Sequence, residues 1–255
     1  MRVIATACSE TGSTKFVNQD GYFMKSGHFG EKLVCLAVIC DGMGGFEAGE
    51  KASNMVIMAL DNWFESQLQE MILNNSVELE LDESINKFLT EMNDELISYG
   101  LQHQIQLGTT CSILLIVGEK VFVYHVGDSR IYHQVKGEVQ LLTDDQTVAA
   151  KKVRDGEMTL EEAKNSRERS ILLQCVGVRN SVKPSKKIGK VNENDSFLLC
   201  SDGFYHALTP NEVKTLLMQS NIEAINDNLQ QLVQQLRLRG EVDDATALVL
   251  KLNPY

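Results

Sequence analysis

From Leu33 to Cys40 the chain runs without a polar side chain, LVCLAVIC, and then reaches Asp41, followed by glycine at three of the next four positions in DGMGG. The run is far too short to span a membrane and reads as a strand in a packed interior. Its terminal aspartate must meet a cation or several hydrogen-bond donors, because a buried, unpaired carboxylate is strongly destabilising. The fold therefore has to bring a partner to Asp41.

The remaining apolar runs are also strand-like: VIATAC near the start, CSILLIV, KVFVYHV, RIYHQV, SFLLC, and TALVLKL near the end. Only GE separates CSILLIV from KVFVYHV, and only GDS separates KVFVYHV from RIYHQV, so both junctions are expected to be antiparallel hairpins. Three segments carry the helical period instead. Ala52, Met55, Val56, Ala59, Leu60 and Trp63 recur at three- and four-residue steps in a helix expected from Glu47 onward. Leu81 to Leu96 and Ile225 to Leu236 repeat the pattern. A fourth helix is expected at Thr209, where TPNEV offers an N-cap, a proline at the first helical position and a glutamate at the third. Blocks of strands and helices in this order indicate α+β with antiparallel sheets covered by helices, not a doubly wound parallel sheet. Thr147 to Ser170 is charged and weakly apolar, an expected irregular surface excursion apart from a short helical TLEEAKN. With three prolines, no linker and no repeat, residues 1–255 are expected to form a single domain.

A net charge of −11 argues against a nucleic-acid partner, which lysine and arginine clusters would have to hold. An acidic chain can still bind a phosphate if divalent cations reverse the local field. The first ten residues lack a signal-peptide core, and no run suits a membrane, so the protein is expected to be cytoplasmic and monomeric. Its six cysteines, Cys8, Cys35, Cys40, Cys111, Cys175 and Cys200, form no C-x-x-C pair and read as reduced packing residues.

Asp41 has company. Asp20 precedes a glycine in VNQDGYF, Asp128 lies in HVGDSRIY, Asp202 follows the run of LLCSDGF, and Asp243 and Asp244 precede the last strand in EVDDATALVL. Each alone is ordinary turn chemistry. Carboxylates gathered at one end of packed sheets would repel one another unless a cation shares them. Mg²⁺ or Mn²⁺ suits an oxygen-only set, whereas zinc would want His and Cys ligands that no cluster here supplies.

The motifs GSTKFVNQD, DGMGGFEAGEKAS, LGTTCSILLI, VFVYHVGDSRIY, LLTDDQT, SFLLCSDGFYHAL and VDDATALVL, in this order, resemble those of the metal-dependent protein phosphatases, the type 2C serine/threonine phosphatases, in their bacterial branch. The resemblance extends from about Ala5 to Leu250. It implies a four-layer α-β-β-α sandwich of two antiparallel sheets flanked by helices, and metal-dependent hydrolysis of phosphoserine and phosphothreonine on proteins. It further implies that Asp41 bridges two Mg²⁺ or Mn²⁺ ions. Asp202 and Asp243 would complete one site, Asp20 and the Gly42 carbonyl the other, and Asp128 would hold a third, weaker ion. In such a site the metals acidify a shared water for in-line attack on phosphorus, with no phosphoenzyme intermediate. The expected partners are phosphorylated proteins, a Ser/Thr kinase and that kinase's substrates.

Two positions depart from the family pattern. Lys15 stands where the family places a phosphate-binding arginine; a lysine can hold a phosphate with looser orientation, or it can be a solvated surface residue. Asp244 stands in place of the usual asparagine, and its extra charge would either tighten metal binding or face solvent. Arg130 and Ser129 could touch substrate, though a salt bridge or turn hydrogen bond suits them better. Gly108, Thr109 and Thr110 read as sheet packing, and the five histidines as structural or exposed. In the resembling family, segment 147–170 corresponds to a variable flap beside the active site. The rival readings are a regulatory module that has lost turnover, and another two-metal phosphoryl enzyme such as a nuclease; the acidic charge disfavours the nuclease.

Overall fold

A computed structural model describes residues 1–45 and 48–254 of the chain. In chain order its first half holds β1 (Arg2–Glu10), β2 (Asp20–Phe29), β3 (Lys32–Gly44), α1 (Ala48–Trp63), α2 (Gln69–Leu73), α3 (Val77–His103), β4 (Leu107–Thr109), β5 (Cys111–Val117) and β6 (Lys120–Val126). The second half holds β7 (Arg130–Val135), β8 (Glu138–Leu141), α4 (Val148–Arg154), α5 (Leu160–Asn165), β9 (Ser185–Lys190), β10 (Ser196–Cys200), α6 (Asp202–Tyr205), α7 (Pro210–Met218), α8 (Ile222–Leu238) and β11 (Ala245–Asn253). One sheet has the order β1-β11-β10-β7-β8 and the other β2-β3-β5-β6-β9, with β4 paired to the end of β3. Every pairing is antiparallel.

Side chains on a strand alternate between its faces, so a strand with both faces covered must be apolar throughout. In β3, Leu33, Cys35, Ala37 and Ile39 enter the core between the two sheets, together with Phe197, Leu199, Leu248 and Leu250. The intervening Val34, Leu36, Val38 and Cys40 pack outward on Val56 and Leu60 of α1 and on Leu81, Ile85 and Leu89 of α3. On the other sheet Leu198, Cys200, Ala247 and Val249 pack against Leu216, Leu229 and Val233 of α7 and α8. The result is the expected α-β-β-α sandwich, with three apolar layers between four structural ones. All six cysteines are free and buried, as expected.

The helical stripes become α1, α3 and α8, although Glu47, where the first was expected to begin, lies outside the described residues. Thr209 caps α7 with a reciprocal capping box to Glu212. The expected β6–β7 hairpin is not formed: β6 pairs within one sheet and β7 within the other, so Gly127-Asp128-Ser129 carries the chain between sheets. Gly127 allows this with φ of +111°, a conformation that side-chain-bearing residues rarely adopt. Segment 147–170 is more regular than expected, folding into α4, α5 and a 3₁₀ turn over Arg167–Ser170. The edge strands β8 and β9 have no apolar run to announce them; β9 reads SKKIGK and is largely exposed.

A candidate metal-binding active site

The connections place the aspartates at one end of the sandwich. β3 continues through Asp41 to Gly44 instead of stopping at Cys40, and Asp41 lies directly opposite Asp20 in the β2–β3 register. Gly42 is required here by close approach: a Cβ on it would lie 2.1 Å from the Gly49 carbonyl oxygen at the start of α1 and 2.5 Å from that of Gln19. The backbone of Asp41 is fixed by the neighbouring strand. Its N–H donates to the Thr110 hydroxyl at 2.8 Å, and its carbonyl accepts the Thr110 N–H at 2.8 Å. Thr109 and Thr110, read from sequence as packing residues, thus hold the central aspartate in place. A two-threonine run between strands gives no sign of that role without knowledge of the pairing.

Asp202 opens α6 directly after β10, and its carboxyl lies within hydrogen-bonding reach of the Asp41 carboxyl. Ser201, the residue before it, donates to Asp20 Oδ2 at 2.7 Å and accepts the Thr246 N–H at 3.0 Å, tying β2, β10 and β11 together. Asp128 is buried at the sheet-to-sheet crossover. Asp243 sits just before β11 and is the most open of the set, with its side chain 43% exposed and ion-paired to Lys15.

This proximity leaves a strong electrostatic signature. Burial pushes the Asp20 carboxyl up to about 7, against hydrogen bonds from Ser201 and Thr246 that favour its ionised form. Burial, then the charges of Asp20, Asp202, Asp128 and Asp243, hold Asp41 well above the usual carboxylate range. Asp202 is pushed up to about 6 by burial and by Asp243. Asp128 is raised well above the ordinary range by burial and then by Asp202 and Asp145. Such mutual destabilisation of the ionised forms is what a nearby cation reverses.

Two further observations test whether the donor set fits a hard divalent ion. Asp20 Oδ1 and Asp202 Oδ1 are buried without a hydrogen-bond partner, a rare and costly condition that a metal would relieve. The available donors are all oxygens, the preference of Mg²⁺ and Mn²⁺. Among the described residues no group of three or more His, Cys, Asp or Glu side chains forms a finished cage for one ion. Each ion would therefore need water or main-chain ligands beside the carboxylates, and the fit rests on the unpartnered Asp20 and Asp202 oxygens.

The neighbours of the site are engaged structurally. Arg130 donates to both oxygens of Asp145, from Nε at 3.0 Å and Nη2 at 2.7 Å, and lies 3.8 Å over the Tyr205 ring. This is the salt bridge favoured from sequence. His206 Nδ1 is 3.7 Å from Asp202 Oδ2, and burial holds its imidazole down to about 4. Lys15 lies against Asp243 and Asp244, which outweigh its burial and hold its ammonium above the usual lysine range. Asp244 is buried and does not face solvent. A cleft of about 980 Å³ lined by Lys32, Leu33, Gly118 and Lys120 lies at the far ends of the strands and contains none of these carboxylates.

Comparison with known proteins accords with this geometry. The family description "Protein phosphatase 2C" matches residues 11–241. The chain therefore belongs to the protein phosphatase 2C family, the metal-dependent serine/threonine protein phosphatases. It is 27% identical to the serine/threonine phosphatase stp of Listeria welshimeri over 222 residues, which are 86% of this chain and 84% of that one. Among solved structures, the S. agalactiae serine/threonine phosphatase superposes with a TM-score of 0.84 at 28% identity, covering 99% of this chain and 100% of that one. The catalytic domain of the phosphatase PstP, in complex with two manganese ions, superposes at 0.79 with 25% identity and 99% of each chain covered.

Proposed function

We propose that this chain, folded as one phosphatase unit, hydrolyses phosphoserine and phosphothreonine on proteins at the carboxylate cluster. In this reading Asp20, Asp41, Asp202, Asp243 and the Gly42 carbonyl hold two Mg²⁺ or Mn²⁺ ions, and Asp128 a third. When bound, the ions supply Lewis-acid stabilisation of the phosphoryl group and a water acidified toward neutral pH. The observation that carries this reading is the pair of partnerless buried oxygens on Asp20 and Asp202, set beside Asp41 in an oxygen-only site.

The chain's own residues divide the remaining work. Thr110 and the β2–β3 register fix Asp41, and Ser201 orients Asp20 by donating to Oδ2, leaving Oδ1 available. Lys15, held at the rim and 27% exposed, presents a cation to the phosphate of the substrate. Segments α4 and α5 and the turn at Arg167–Ser170, largely exposed, serve as the flap of the site. The phosphatase acts in trans on a Ser/Thr kinase and its targets. Six free thiols suit a reducing cytoplasm, and no helix among the described residues is long and apolar enough to cross a membrane.

The test is hydrolysis of an aryl phosphate and a phosphothreonine peptide with Mn²⁺, Mg²⁺ or chelator, beside Asp41→Asn. Metal-dependent turnover that the substitution removes is expected. Turnover that survives either chelation or Asp41→Asn refutes the assignment.

A further inference from the structure

The two positions that depart from the family pattern, Lys15 and Asp244, touch each other. Lys15 Nζ donates to Asp244 Oδ2 at 3.0 Å across a sequence separation of 229 residues. The same oxygen accepts the Gln19 N–H at 2.8 Å, while Oδ1 accepts the Gly12 N–H at 2.8 Å. Both oxygens of a carboxylate with 1% side-chain exposure are thus committed to one segment, residues 12–19, which joins β1 to β2 and delivers Asp20. Arg237 of α8 ties the other side of the junction, donating to the carbonyls of Asp243 at 2.6 Å and Thr11 at 3.2 Å.

An asparagine could not make these contacts. Its single carbonyl oxygen would serve one side of the segment, and its amino group would point a donor at the backbone N–H on the other. Nor could it supply the second of the two carboxylates that, with Asp243, meet the Lys15 ammonium. A carboxylate at 244 therefore goes with a lysine at 15. Gln19 transmits the constraint: its N–H is held by Asp244, its carbonyl accepts the Ser53 hydroxyl at 2.8 Å and the Gly42 N–H at 3.1 Å, and the next residue is Asp20.

Resting on the phosphatase reading above, we propose that Asp244 is a positioning residue of the reaction. It locks Lys15 and the 12–19 backbone into one unit and so sets where the Lys15 ammonium meets the substrate phosphate and where Asp20 stands at the metal site. The Asp244 carboxylate is neither a spare metal ligand nor a solvated surface charge.

The test is a double-mutant cycle on the full chain: wild type, Lys15→Ala, Asp244→Asn and the double variant. The readouts are KM and kcat for a phosphothreonine peptide, and Mn²⁺ affinity by calorimetry without substrate. Lys15→Ala is expected to raise KM about tenfold without weakening Mn²⁺ binding, because its ion pair with Asp243 competes with a metal there. Asp244→Asn is expected to raise KM by a similar factor and also to weaken Mn²⁺ binding about tenfold through Asp20. The double variant should be no worse in KM than the poorer single one, because the two residues act together. Effects on KM that multiply, or an Asp244→Asn protein altered only in melting temperature, overturn the proposal. Should Asp244→Asn fail to fold, Lys15→Ala carries the test through amide exchange: faster exchange at Gly12 and Gln19 supports the locked unit, and unchanged exchange overturns it. Wild-type protein without Mn²⁺-dependent turnover would remove the phosphatase reading first, and is distinguished from these outcomes by the Asp41→Asn control.

Discussion

Replacing Gly42 by alanine adds one methyl group at the point where the end of β3 crosses the start of α1. An alanine Cβ would lie 2.1 Å from the Gly49 carbonyl oxygen, where even tight contacts need 3.0 Å, and 2.5 Å from the Gln19 carbonyl oxygen. Both neighbours are backbone atoms, so no side-chain rotation relieves the overlap, and the two elements must part by about 1 Å. That movement acts on Asp41, one residue away, and on Gln19, one residue from Asp20. Overpacking of this kind costs about 1–3 kcal/mol, which for a chain of this size lowers the melting temperature by roughly 2–10 °C. A displacement of about 1 Å at a catalytic group can reduce turnover about a hundredfold. The assay pairs kcat/KM on an aryl phosphate at saturating Mn²⁺ with calorimetric Mn²⁺ titration and thermal melting. A folded Gly42→Ala protein within twofold of wild type in both turnover and Mn²⁺ affinity would refute the view that backbone contact at Gly42 sets the position of Asp41.

Three further changes separate the site from its scaffold. Ser201→Ala removes the hydroxyl that donates to Asp20 Oδ2 and accepts from Thr246; Mn²⁺ affinity measured by calorimetry should fall about tenfold, as for loss of a hydrogen bond to a charged group. Asn93→Ala leaves the buried Gly177 N–H and the Arg179 carbonyl, both now bonded at 2.9 Å, without their partner, and should cost about 1–3 kcal/mol in denaturant unfolding with kcat unchanged. Glu212, held down to about 2 chiefly by Arg239, should contribute stability that is fully present above its ordinary carboxylate range and lost as pH falls toward 2. Glu212→Gln can keep the capping contact to Thr209 but loses the charge, so its melting temperature should trail wild type at pH 7 and converge with it in acid.

The unbroken apolar run of β3 specified a strand covered on both faces, and the helical stripes of α1, α3 and α8 specified what would cover the sheets. Both are local periodicities, readable without knowing any partner, and so is the capping box at Thr209. The grouping of aspartates at strand ends was legible for a related reason: carboxylates beside buried strands are costly enough that their recurrence implies a shared cation. The edge strands β8 and β9 escaped notice because both are largely exposed and need no hydrophobic alternation.

What sequence could not decide was pairing between remote segments. The three-residue link around Asp128 is short enough for a hairpin, yet it crosses between sheets, since β6 pairs with β5 and β9 in one layer and β7 with β10 and β8 in the other. Likewise, Thr110 holds Asp41 and Asp244 holds Lys15 only because the folded chain brings residues 69 and 229 positions apart into hydrogen-bond contact. Periodicity records which face of an element is buried. Which carboxylate meets which donor follows from the packing of whole layers, and appears only when the sandwich closes.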